Sequence, residues 1–255
     1  MRREGRVAVV TGGAMGIGAE VAARLAAAGY VVCIADRDLA AAQATAERLG
    51  GTAGTVAHAL RVDVGDPASI EAAFAQVAER FGRCDVLVNC AGIAKVFPFL
   101  DFPLENFVAT MNVNVTGTLL CSQHAARLMV AKRWGRIVNI ASVAGMRAVG
   151  SGRTAYGTSK GAVIALTRQI AVELAEFGIT ANAVAPGPVD TPMTQVLHTP
   201  AFKAQYAGAI PMRRYGTTAE IASAVMYLVS DDASYVSGIA LPVDGGFMSA
   251  GAPGI

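Results

Sequence analysis

The sequence holds no run of about 20 uncharged apolar residues, the length a membrane-spanning helix requires. Its opening residues, Met1-Arg2-Arg3-Glu4-Gly5-Arg6, lead straight into a short apolar stretch and carry no signal-peptide core. No Lys/Arg block is present and the net charge is only +2, so nucleic acid is not expected as a partner. The four cysteines, Cys33, Cys84, Cys90 and Cys121, form no CxxC pair and have apolar neighbours. They read as small buried residues in a reducing compartment, not as a disulfide framework. His58, His124 and His198 lie far apart, without metal-ligand spacing, so no metal site is expected. Linkers, internal repeats and low-complexity tracts are missing too. These absences lead to the expectation of a cytoplasmic protein with no membrane partner.

What is present is largely apolar. Hydrophobic residues fill 53% of the 255 positions and charged residues 16%, enough for a substantial core. Short apolar runs at 7–10, 31–35, 57–62, 85–88, 136–141, 179–185 and 239–243 read as strands. Helical patterns separate them, over 19–28, 39–49, 67–81, 104–132, 155–177 and 217–229. Asp66-Pro67 is an N-cap followed by proline at the first helical position. Thr217 and Glu220 form a capping box. Continuous apolar strands joined by helices predict a parallel sheet covered on both faces. With right-handed crossovers, the expected fold is α/β: a single-domain, Rossmann-type, doubly wound sheet of about seven strands. Residues 1–255 would then form one dinucleotide-binding and catalytic domain. The least regular stretch, 186–217, reads either as a substrate loop or lid, or as a plain surface excursion.

The first strand ends in Thr11-Gly12-Gly13-Ala14-Met15-Gly16-Ile17-Gly18, and a helix follows directly. Glycines let a backbone turn tightly against a pyrophosphate, and a helix N-terminus offers free N–H groups. The spacing is G-x-x-x-G-x-G, which a purely structural turn could also produce. Asp36 ends the second strand. A carboxylate there can accept both ribose hydroxyls of an adenosine and would repel a 2′-phosphate, which favours NAD over NADP. The adjacent Arg37 points the other way, because an arginine can accept that phosphate.

Tyr156 and Lys160 stand four residues apart, so on a helix they share a face. Phenols ionise near pH 10, too high for a base at neutral pH, and a nearby ammonium favours the phenolate. Alone, this spacing would equally suit an exposed helix pair. Other residues fall with it at the C-terminal edge of the predicted sheet: Ser142 after the fifth strand, Asn89-Cys90-Ala91-Gly92 after the fourth, and Pro186-Gly187-Pro188-Val189-Asp190-Thr191 after the sixth. Asn114 lies in the long helix between the fourth and fifth strands. Ligands bind at that edge in open α/β sheets.

TGGAMGIG, NCAG, the serine after the fifth strand, YGTSK and PGPVDT together resemble the short-chain dehydrogenase/reductase superfamily, over essentially the whole chain. The resemblance implies that Tyr156 donates or accepts the substrate proton and that Lys160 binds the nicotinamide ribose and assists the tyrosine. Ser142 would hydrogen-bond the substrate oxygen, and Asn114 would hold a water linking Lys160 to solvent. Gly12, Met15, Gly16, Ile17, Gly18, Asp36 and Arg37 would bind the cofactor, with Asp63 and Val64 bordering the adenine. Asn89, Ala91 and Gly92 would line it, as would Pro186 and Gly187, while Val189 and Thr191 would meet the carboxamide. A homotetramer is also implied, built through the two long helices and the C-terminal segment 244–255. The chain departs from the family in two places. Cys90 replaces the second asparagine of the usual NNAG, and one extra residue separates Ser142 from Tyr156, expected within 147–152.

The expected reaction is hydride transfer between NAD and a secondary alcohol or ketone, the substrate a polyol, hydroxy acid or similar small metabolite. Arg153 is a candidate for binding an anionic substrate group, or else a solvent-facing arginine; Lys95 and His198 are weaker candidates. The nearest rival is an NADP-dependent 3-oxoacyl-carrier-protein reductase. Arg133 suits carrier docking, but Phe177 stands where a second basic residue is common. From other classes, Gly157-Thr158-Ser159-Lys160-Gly161 matches G-x-S-x-G with Asp190 and His198 following, as in a serine hydrolase, although no strand precedes the serine. A dinucleotide-binding regulator without catalysis is the third alternative.

Overall fold

Along β1 (Val7–Thr11) the side chains alternate between two cores. Ala8 and Val10 join one, Val7 and Val9 the other. This two-sided burial recurs in β2 (Val31–Asp36), β4 (Val86–Asn89) and β5 (Gly135–Ile140), where Ile34, Val88 and Val138 face one way and Cys33, Leu87 and Ile137 the other. The predominantly apolar strand sequences follow from it, since neither face meets water. Each fully buried Val, Leu or Ile contributes about 1.5–3 kcal/mol. The computed structural model describes residues 5–51 and 56–250, apart from the side chains of Met193 and Leu197.

With β3 (Val56–Arg61), β6 (Ile179–Pro186) and β7 (Ala240–Val243), these strands form one parallel sheet of order β3-β2-β1-β4-β5-β6-β7. Helices α1 (Gly16–Ala27), α2 (Leu39–Gly50) and α9 (Thr218–Leu228) cover one face. The other carries α3 (Pro67–Phe81), α5 (Gly117–Val130) and α6 (Thr154–Leu174). Helix α4 (Leu104–Met111) leads into α5, and α7 (Pro192–Leu197) and α8 (Pro200–Gly208) lie between β6 and α9. This is the expected doubly wound α/β fold, with strand order reversing between β1 and β4.

Local signals hold where side-chain chemistry fixes an end. Asp66 caps α3 by accepting the Ala68 N–H at 3.0 Å, and the Thr217–Glu220 box is formed in both directions. Two expectations need correction. The helix predicted over 104–132 is interrupted at Asn112–Thr116 by a π-helical turn. The segment 186–217 is not irregular throughout, because Thr191-Pro192 and Thr199-Pro200 each start a short helix. Each threonine accepts a backbone N–H and each proline takes the first helical position. The predicted interface segment 244–255 is described only as far as residue 250.

Candidate active site

The reversal of strand order opens a crevice of about 450 Å³ at the C-terminal ends of the strands. Its floor is the glycine turn. Gly12 and Gly16 hold φ of 62° and 57°, in the left-handed region that glycine enters without steric cost. A Cβ on Gly12 would stand 2.8 Å from the Ala91 backbone. The Thr11 hydroxyl accepts the Cys90 and Ala91 N–H groups at 3.2 and 3.3 Å, binding this turn to the loop after β4. Gly12, Met15, Gly16 and Ile17 line the crevice at the start of α1. The bare glycine backbone beside a helix N-terminus is the surface a dinucleotide pyrophosphate fits. Gly18 does not line it. A Cβ there would meet the Gly12 carbonyl oxygen at 2.1 Å, so this glycine permits close helix–strand contact instead.

Asp36 and Arg37 line the far end, with Asp63 and Val64. The Asp36 carboxylate accepts the Ala14 N–H through Oδ2 and the Asp38 N–H through Oδ1, both at 3.2 Å. These bonds aim it across the glycine turn. The expectation for Asn89 is corrected: its side chain faces the core. Its Nδ2 donates to Ser122 Oγ at 3.1 Å and to Asn139 Oδ1 at 2.8 Å, while Asn139 Nδ2 reaches Thr167 Oγ1 at 2.9 Å. Ala91 and Gly92 do line the crevice, as do Pro186, Gly187, Val189 and Thr191.

Ser142, Tyr156 and Lys160 line the crevice together. Ser142 caps a 3-10 turn, its Oγ accepting the Ala144 N–H at 3.1 Å. Tyr156 sits in the first turn of α6, half-buried, with Lys160 one turn further on. Lys160 is buried, donates from Nζ to the Ile140 carbonyl at 2.6 Å, and lies 5.7 Å from the Tyr156 ring centre. Asn114 stands in the π turn and is buried. Its Oδ1 accepts the Ile93 N–H at 2.8 Å. Its Nδ2 donates to the Ile93 carbonyl at 3.0 Å and to Ser159 Oγ at 2.9 Å. Gly92 lies against both groups: a Cβ there would meet Asn114 Oδ1 at 3.2 Å and Lys160 Nζ at 3.5 Å.

Of the substrate candidates, Arg153 and His198 line the crevice; Lys95 is exposed and does not. Arg153 Nη2 meets His198 Nε2 at 3.1 Å, and His198 Nδ1 meets the Tyr215 hydroxyl at 3.1 Å. Burial, then the charges of Arg153 and Lys203, hold the His198 imidazole below its ordinary pKa.

A family model described as Enoyl-(Acyl carrier protein) reductase matches residues 12–248. The chain belongs to the short-chain dehydrogenase/reductase family. It is 39% identical over 246 residues to the 3-oxoacyl-(acyl-carrier-protein) reductase FabG of Aquifex aeolicus, covering 96% of this chain and 98% of that one. It is 44% identical over 253 residues to the 2-(R)-hydroxypropyl-CoM dehydrogenase of Xanthobacter autotrophicus, covering 95% and 98%. A gluconate 5-dehydrogenase from Burkholderia cenocepacia, solved in complex with NADP and tartrate, superposes with a TM-score of 0.93 at 35% identity and 98% coverage of both chains.

As a short-chain dehydrogenase/reductase, the chain keeps its two departures at the crevice. Cys90, in place of asparagine, lines it. Burial pushes its thiol up to about 11, partly opposed by Lys160, so it is a neutral wall residue. The other three cysteines are buried and free. The longer Ser142-to-Tyr156 connection turns through Gly150 and Gly152, with φ of 93° and 74°, and buries Val149 at the crevice wall. Sequence reasoning missed Val149, Thr194 and Tyr206, which line the crevice from segments without periodic signal. The hydrolase alternative loses its nucleophile. Ser159 is fully buried inside α6, its hydroxyl donating to the Tyr156 carbonyl at 2.8 Å.

Proposed function

We propose that this short-chain dehydrogenase/reductase is an NAD-dependent oxidoreductase interconverting a secondary alcohol and its ketone, with Tyr156 as general acid/base. The substrate is a polyol, hydroxy acid or similar small metabolite. The observation that carries this reading is the convergence of Ser142, Tyr156 and Lys160 at one end of a crevice whose other end holds Asp36. A nicotinamide dinucleotide held in this crevice would supply the hydride acceptor for the alcohol, or the hydride donor for the ketone. The protein's own groups do the rest. Ser142 Oγ holds the substrate oxygen within reach of the Tyr156 hydroxyl. The Tyr156 phenolic oxygen, deprotonated, takes the alcohol proton during oxidation, and the hydroxyl so formed donates it back during reduction. Lys160 Nζ stands 5.7 Å from the Tyr156 ring centre and would lie within reach of a ribose. Asn114 holds the Ile93 segment against α6 and fixes the neighbourhood of Lys160; a water held beside it would link Lys160 to solvent. Asp36 supports NAD, since a 2′-phosphate beside its carboxylate would be repelled.

The second reading, an NADP-dependent 3-oxoacyl-carrier-protein reductase, draws on the name of the Aquifex relative and on Arg37 beside Asp36. Against it, Phe177 packs against the core where a second basic residue would be expected, and the Arg133 side chain donates to the Glu176 carbonyl. The wider proposal is a cytoplasmic homotetramer acting on small molecules.

Steady-state turnover of a panel of secondary alcohols, polyols and hydroxy acids with NAD and NADP tests the reading. NAD should give the higher kcat/KM; a strong NADP preference revives the ketoreductase. Tyr156→Phe should lower kcat by about 10²-fold to 10⁴-fold with NAD affinity unchanged. Full turnover by that variant would remove Tyr156 from the chemistry.

A further inference from the structure

Arg153 is half-buried at the N-cap of α6, one turn before Tyr156, and lines the crevice. Among the described residues no carboxylate lies within ion-pair distance of it. The acid in this region, Asp190, is taken by Lys203, whose Nζ sits 2.7 Å from its Oδ1. Val149 and Tyr206 share the wall. Partly desolvating a cation without a counter-charge is costly, and the described residues give this one no anion. What they do give is a rigid mount. A guanidinium has five N–H donors and no acceptor, so the 3.1 Å contact to His198 requires a lone pair on Nε2. The imidazole proton then lies on Nδ1 and is donated to the Tyr215 hydroxyl. Tyr215 is buried, and Phe202 and Tyr206 pack around the imidazole, ring centres 4.7 and 6.4 Å away. The same neutral state follows from the burial and the two cations that hold the histidine below its ordinary pKa. His198 thus uses one of the five N–H groups of Arg153, leaving a fork for an oxyanion.

We infer that Arg153 is the specificity-determining residue of this site, binding an acidic group (a carboxylate or sulfonate) on the secondary alcohol or ketone, with His198 as its positioning residue. The inference rests on the dehydrogenase reading, because it assigns the anion to the substrate. A neutral alcohol would leave the guanidinium uncompensated; an acidic one would anchor at Arg153 while its hydroxyl lies between Ser142 and Tyr156. This narrows the substrate from secondary alcohols at large to hydroxy or oxo acids.

Calorimetric titration of the full-length enzyme, loaded with whichever of NAD or NADP it binds, tests this with butyrate, 1-butanesulfonate and the uncharged butyramide. At least one acid should bind about tenfold or more tightly than the amide. Arg153→Gln should weaken that acid about tenfold to hundredfold, leaving butyramide and cofactor within about twofold. Arg153→Lys should recover part of the loss, because it keeps the charge without the fork. His198→Ala should weaken the acid less than Arg153→Gln does, with cofactor affinity kept. Tighter carboxylate than sulfonate, or the reverse, names the acid within the class. Equal affinity for acids and amide in the native enzyme overturns the inference. So does an Arg153→Gln variant that loses cofactor as much as acid, since the arginine would then serve the cofactor. Failure of the underlying reading looks different: neither nucleotide binds, or no alcohol or ketone in the panel turns over.

Discussion

At the scale of single residues, the proposed preference for NAD turns on Asp36. Its two oxygens already accept N–H groups from Ala14 and Asp38, yet each carboxylate oxygen has a second acceptor site open. The bonds to the backbone hold it in one orientation, so a ribose would meet a fixed pair of acceptors. Asp36→Ala should therefore weaken NAD by about tenfold to hundredfold, the worth of one or two hydrogen bonds to a charged group. NADP should lose nothing or gain, because the repulsion disappears while Arg37 remains. Fluorescence titration of both reduced nucleotides checks this. An unchanged ratio of affinities would mean that Asp36 serves only the turn it braces.

At the scale of elements, the glycine turn and α1 are joined by a contact that leaves no space for a side chain. Gly18→Ala would put a methyl carbon 2.1 Å from the Gly12 carbonyl oxygen, which only a shift of the helix relieves. Overpacking of this kind costs about 1–3 kcal/mol, so the melting temperature should fall by several degrees, at about 2–4 °C per kcal/mol. NAD affinity should fall with it, because the turn itself moves. Gly50→Ala is the control: nothing lies within 4 Å of its added carbon, and it should melt at or slightly above the native temperature. Much of the fold was legible because apolar runs and caps act locally. The seven strands and the start of α3 and α9 needed only neighbouring residues. The π turn was not legible, since an i+5 step inside a helix leaves the apolar pattern on either side intact. The available sign was a run of poor helix formers, Asn112-Val113-Asn114-Val115-Thr116. Asn89 was misread because a strand's last residue faces one layer or the other according to register, and here the buried row of Ser122, Asn139 and Thr167 takes it inward. Helices α7 and α8 were missed because they are too short for a periodic signal.

For the whole molecule, the exposed apolar side chains are the informative feature. Leu104 and Val108 on α4 and Val172 on α6 are 72%, 56% and 75% exposed. Scattered apolar residues are ordinary on a surface, whereas clustered ones mark contact sites. The helices that bear them, α4 and α6, suit the self-complementary face of a symmetric assembly. Sedimentation velocity should give a tetramer. Val172→Arg together with Leu104→Glu should reduce it to smaller species that still bind NAD. A native monomer would show that these side chains serve another purpose.

The hydrogen bonds of Asn114 have a mechanical meaning beyond any proton they help to guide. They rivet the Ile93 segment, part of the wall after β4, to Ser159 in the helix that carries Tyr156 and Lys160. These two walls come from distant parts of the chain and could otherwise drift independently. With the rivet in place, the ordering entropy of the reacting groups is lost once, during folding, and does not recur at each turnover. The one side chain that reaches both walls stands in the π turn, where the helix is interrupted.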